Sequence, residues 1–159
     1  MKLNLLQTTL GLIFIVTMAS LVPEVHANSC SLAGSAGQYG FTLTGVLILP
    51  TGSVPIAAVG RAGLDAAGNV SGTESRSAGG EFADETFTGT YSVNADCTGT
   101  ATINFYESGQ LVRTSALSLV FDANSREIRM VQKSLQLPDG ALLPVVVTVE
   151  AKRIFNEDD

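Results

Sequence analysis

Residues 85–105, ETFTGTYSVNADCTGTATINF, alternate apolar and polar side chains almost without error. Phe87, Gly89, Tyr91 and Val93 share one face, and Thr86, Thr88, Thr90 and Ser92 share the other. After Asn94-Ala95-Asp96 the alternation resumes, with Ala101, Ile103 and Phe105 set against Thr100, Thr102 and Asn104. Successive side chains of an extended chain point to opposite sides. Two such runs around a short polar turn therefore predict an antiparallel hairpin with one dry face and one wet face. A lone hairpin is marginal in water, so the dry face demands further strands.

The rest of the chain repeats the pattern and predicts eight strands in all. Residues 38–49 hold Tyr39, Phe41, Leu43, Leu47 and Leu49 in phase, before Pro50-Thr51-Gly52-Ser53 breaks the run. Residues 55–64 carry Ile56, Ala58, Ala62 and Leu64 in phase. They end at Asp65-Ala66-Ala67-Gly68-Asn69, a hairpin loop in which Gly68 can take the left-handed conformation. Residues 70–77 form the least hydrophobic strand, and the small polar residues 75–80 read as a flexible loop. After the central hairpin, Glu107-Ser108-Gly109-Gln110 turns the chain into residues 111–121, with Leu111, Leu117, Leu119 and Phe121 on one face. Asp122-Ala123-Asn124-Ser125 leads into residues 126–137, and the turn signal Pro138-Asp139-Gly140 precedes residues 145–153. There, Val145, Val147 and Val149 oppose Thr148, Glu150 and Lys152. No stretch after residue 27 shows a helical period.

Consecutive hairpins with short turns make an up-and-down meander. Half-buried strands in a meander lose their exposed edges by closing into a ring. The expected fold is therefore all-β: a single up-and-down antiparallel eight-stranded β-barrel spanning residues 28–159. In-strand glycines such as Gly45, Gly60, Gly72 and Gly89 suit the bends of a small barrel. A two-sheet sandwich would show longer crossovers. An outer-membrane barrel would turn its apolar face outward between aromatic girdles, and no such girdles mark the strand ends.

The strand pattern begins only after a different kind of segment. Lys2, the apolar run Leu10-Gly11-Leu12-Ile13-Phe14-Ile15-Val16 and the small-residue pattern Val25-His26-Ala27 have the layout of a cleaved signal peptide over residues 1–27. The alternatives are an uncleaved anchor helix over residues 3–22 and a lipid at Cys30, which would need a bulky aliphatic residue where Ala27 stands. The expected location is secreted or periplasmic, with no stable membrane insertion after cleavage. Cleavage removes only Lys2 and Glu24 among the charged residues, so the net charge stays at −6. An acidic chain argues against nucleic acid as the main partner. The one histidine, His26, lies in the leader, which removes the usual histidine-based triads and metal sites from the remainder. The acids Glu81, Asp84 and Glu85 lack the spacing of a calcium loop and read as a solvated loop. No metal site and no cofactor is expected. Cys30 and Cys97, the only cysteines, pair by default as a disulfide in an exported chain.

Two motifs carry a resemblance. The run from Val59 to Gly72, VGRAGLDAAGNVSG, and the run from Gly89 to Thr100, GTYSVNADCTGT, resemble hairpins shared by a group of small exported bacterial proteins. The architecture resembles the calycin-type barrels, which include lipocalins and allene-oxide-cyclase-like barrels. That resemblance implies a barrel and a bacterial source, and it implies no activity. The lipocalin Gly-x-Trp signature is absent, because the chain has no tryptophan.

Candidate chemistry rests on polar residues that fall on dry faces. Glu74 and Arg76 are in phase with Val70, so an inward Val70 carries both inside. Arg113 is in phase with Leu111, Ser115, Leu117 and Leu119, where a guanidinium anchors a carboxylate or snorkels from a rim. Tyr91 sits between Gly89 and Val93, and a buried tyrosine hydroxyl needs a partner. Glu74, Arg76, Tyr91 and Arg113 are thus the candidate ligand-binding residues. The leading reading is a barrel that binds a small, partly apolar molecule inside. The alternatives are a filled, non-catalytic structural or interaction protein of the cell envelope, and a cyclase or isomerase working through Glu74, Arg113 and Tyr91. No catalytic motif favours the last of these.

Overall fold

The computed structural model describes residues 30–122 and 124–154. The leader expected over residues 1–27 lies outside them. A short helix α1 (Leu32–Ser35) precedes the strands β1 (Gly37–Leu49), β2 (Gly52–Leu64), β3 (Asn69–Ala78), β4 (Glu81–Val93), β5 (Thr98–Glu107), β6 (Gln110–Asp122), β7 (Glu127–Gln136), β8 (Leu142–Leu143) and β9 (Val145–Arg153). Neighbours run in the order β6-β5-β4-β3-β2-β1-β9-β7, and β7 pairs back to β6. The ring is a closed, antiparallel, eight-stranded up-and-down barrel. The two-residue β8 is an extra rung, pairing with β7 at Leu135 and Gln136.

The dry faces point inward. Tyr39, Leu43, Ile56, Phe87, Ile103, Phe105, Leu117, Leu119, Phe121, Ile128, Val147 and Val149 form one buried cluster along the axis. The threonines of the central hairpin lie outside, where β-branched side chains suit a solvated pleat. Aromatic rings compensate for in-strand glycines. Phe41 stands opposite Gly60 and Phe87 opposite Gly72, and a Cβ on either glycine would lie 2.4–2.5 Å from the facing ring's Cζ. The glycine lets the strand coil tightly, and the ring fills the space its missing side chain leaves. Phe41, Phe87 and Phe105 then contact one another, with centroids 5.9 and 5.5 Å apart.

Three local expectations are corrected. Residues 75–80 are not a flexible loop: β3 continues to Ala78 and β4 starts at Glu81, joined by Gly79 and Gly80 alone. Both glycines have positive φ, the conformation that two-residue hairpin turns require. Leu111 does not share the face of Arg113. Arg113 stands opposite Phe105 but Leu111 opposite Tyr106, so Val112 is an extra residue and the alternation slips there. Finally, α1 is a helix of one turn, too short to show a period. Ser31 caps it, its Oγ accepting from the Gly34 N–H at 3.1 Å.

Candidate functional site

Helix α1 closes one end of the barrel. The Cys30–Cys97 disulfide ties the segment before it to the β4–β5 turn, with the Cα atoms 4.9 Å apart. Tyr39, with no exposed surface, has its hydroxyl 2.8 Å from the Ser35 carbonyl and 2.7 Å from the Ser125 carbonyl. Arg153 donates to the Gly34 carbonyl at 2.8 Å and to the Tyr39 hydroxyl at 3.0 Å. Tyr91 donates to the Asp65 carbonyl at 2.6 Å. Burial, with Asp65 and Tyr39 adding to it, pushes the Tyr91 hydroxyl up to about 12. The two motifs that carry the resemblance build this end. Asp65 Oδ1 accepts from the backbone N–H groups of Ala67 and Asn69, and Asp96 Oδ1 accepts from Thr98 N–H. Such carboxylate-to-backbone bonds shape turns.

Toward the other end, four side chains meet inside the wall. Glu74 on β3 and Glu85 on β4 are direct cross-strand partners. Arg113 reaches from β6 across the Phe105 ring, its guanidinium 3.8 Å from the centroid. It donates from one nitrogen to Glu85 Oε2 at 2.5 Å and from the other to Glu74 Oε1 at 2.7 Å. Arg76 Nε donates to Glu85 Oε1 at 2.9 Å from the rim side. Burial pushes Glu74 up to about 7, opposed by Arg113 and reinforced by the neighbouring Glu85 carboxyl. Burial also pushes on Glu85, but Arg113 and Arg76 together outweigh it and hold this carboxyl below the usual range. One buried oxygen, Glu74 Oε2, has no hydrogen-bond partner.

Between the two ends lies a cavity of about 100 Å³. Its walls are mostly apolar, with Phe87, Phe105, Ile103, Leu117 and Met130 among them, and its polar patches are Glu74, Arg113, Ser115 and Gln132. Gln132 donates to Ser115 Oγ at 2.9 Å, a buried pair on the opposite wall. A second slip in the β6–β7 pairing, with Lys133 as the extra residue, turns both Gln132 and Leu135 toward the axis.

The structure thus brings Glu74, Arg76 and Arg113 into one cluster. It places Tyr91 on the cavity wall with its hydroxyl directed to the closed end. Glu85, read as a solvated acid, is 2% exposed and joins the cluster. The signal for it was present, since Glu85 is in phase with Phe87 and Tyr91. Among the described residues no group of three or more acids, histidines or cysteines is placed to hold a metal ion.

No family model matches the sequence, and no curated protein sequence matches it. Solved structures with a similar fold include two β-barrels. A redesigned β-barrel, mFAP1, bound to DFHBI, is 14% identical over 77% of this chain and 98% of that one, with a TM-score of 0.50. EF1p2_mFAP2b bound to DFHBI is 11% identical over 76% of this chain and 94% of that one, with a TM-score of 0.53. At these identities the likeness is one of fold: this chain is a small closed β-barrel.

Proposed function

We propose that this protein is an exported barrel that holds a small, partly apolar molecule in its interior. The observation that carries the reading is the cavity itself. An eight-stranded barrel has an interior that side chains can fill or that holds one small ligand. Here large side chains fill most of it, yet a void of about 100 Å³ remains. Apolar walls with a few convergent polar groups are the usual make-up of a ligand site. The fold neighbours mFAP1 and EF1p2_mFAP2b, both bound to DFHBI, support the reading by analogy, since such a barrel can be hollow enough to take a small molecule. The layout of residues 1–27 and the disulfide support export.

Native mass spectrometry of protein purified gently from its own host tests both parts. The expected species is the chain from Asn28 less two hydrogens, carrying an extra mass that collisions remove. A clean mass of the protein alone, unchanged after incubation with host extract, would favour a filled structural barrel. A mass that retains residues 1–27 would overturn export by cleavage.

A further inference from the structure

The cluster leaves one atom unexplained. Glu74 is 4% exposed, Arg113 holds its Oε1, and its Oε2 is buried without a partner. The surrounding elements supply no donor to that oxygen. From β2, the residue opposite Glu74 is Gly60, which has no side chain. From β4 comes the Glu85 carboxylate, itself an acceptor. From β6, Arg113 divides its two donations between Glu85 and Glu74, and on β3 itself Arg76 pairs with Glu85. A buried acceptor left without a donor is costly, and native interiors seldom leave one so.

The charges set what is missing. With both carboxyls ionised, as they are above pH 7, two carboxylates and two guanidinium groups balance, so a charged guest would stand uncompensated in a desolvated site. The volume sets its size: a dry cavity of ~150 Å³ takes benzene, so about 100 Å³ admits one ring at most, with the flexible Met130 on the wall yielding some room. We infer that the cavity takes a small uncharged single-ring compound of the phenol or pyrrole type, whose O–H or N–H donates to Glu74 Oε2 while the ring packs against Phe87, Phe105 and Met130. This rests on the binding-barrel reading and names the ligand class of that site. Because Glu74 is pushed up to about 7, a proton and the ligand's donor compete for the same carboxylate near neutrality. Binding should therefore release a proton.

Isothermal titration calorimetry of the oxidised protein with phenol, benzene and anisole, at pH 8, 7 and 5.5 and in two buffers of different ionisation enthalpy, tests this. The expected result at pH 8 is phenol binding about tenfold tighter than benzene or anisole, the scale of a hydrogen bond to a charged acceptor. That advantage shrinks at pH 5.5, and phenol but not benzene releases protons near pH 7. In Glu74→Gln the proton release disappears and phenol binding no longer changes with pH. Equal affinities for phenol and benzene in the unaltered protein at pH 8 would overturn the inference while leaving the cavity reading intact. No binding of any of the three would overturn both.

Discussion

At the end that carries α1, the bonds run mainly to backbone: Tyr39 and Tyr91 donate to carbonyls, Asp65 and Asp96 accept from the amides of their own turns, and Arg153 donates to a carbonyl and to the Tyr39 hydroxyl while its buried Nε has no partner. At the other end, side chains pair with side chains. Glu74, Glu85, Arg76 and Arg113 hold one another, and a carboxylate oxygen is left over. Backbone partners are fixed by the fold and indifferent to pH. A side-chain network has charges that can be titrated, displaced or completed by a guest. The difference separates a part built to stay shut from a part able to respond.

Four measurements would break or sharpen that contrast. Reducing the disulfide, or replacing both Cys30 and Cys97 with serine, opens a loop with a sequence separation of 67 and should cost about 4 kcal/mol on the chain-entropy argument, read from the urea midpoint. A loss below about 1 kcal/mol would mean that the plug holds without its covalent tie. Glu85→Ala strips Arg113 and Arg76 of their shared acceptor and should cost about 3 kcal/mol, because it leaves two guanidinium groups facing the single carboxyl of Glu74. A near-neutral result would show that water reaches the cluster freely and that the charged end is no interior.

The third effect concerns pH. A carboxyl raised from 4.5 to about 7 binds its proton more readily folded than unfolded. Stability contributed by that group is therefore lowest above pH 7 and recovers as pH falls. Glu85, held low, stays ionised over the same window. Unfolding measured from pH 8 down to pH 5.5 should show a gain of about 2 kcal/mol, absent in Glu74→Gln. No difference between the unaltered protein and Glu74→Gln over that window would place Glu74 in water. The smallest expected change is Tyr39→Phe, which removes a buried hydroxyl and should cost about 1–2 kcal/mol without altering the pH profile. A shifted profile would show that the two ends communicate.

Much of the architecture was legible in the chain, and the misses have physical causes. Alternation placed Tyr39, Phe87, Tyr91, Ile103 and Leu119 inside because a pleated strand sends every second side chain the same way. Leu111 escaped that logic because one unpaired residue, Val112, reverses the parity, and nothing in a sequence marks such a slip. Residues 75–80 have the small, polar composition of a loose loop, but two adjacent glycines are also what a tight hairpin turn uses. Glu85 was in phase with Phe87 throughout. Acidic side chains are mostly solvated, a tendency that yields when guanidinium groups are waiting inside.

The sequence by itself determined the number of long strands, which side chains of each unbroken run share a face and, with only two cysteines, which pair forms the disulfide. These follow from local periodicity and from counting. Only the tertiary structure decided that Arg113 meets Glu85 and Glu74, which lie 28 and 39 residues away along the chain, and that Glu74 keeps a free oxygen beside a cavity. Such contacts depend on ring closure and on register between strands remote in sequence. A cavity is the small volume left over when large side chains are packed together, and no single residue carries it.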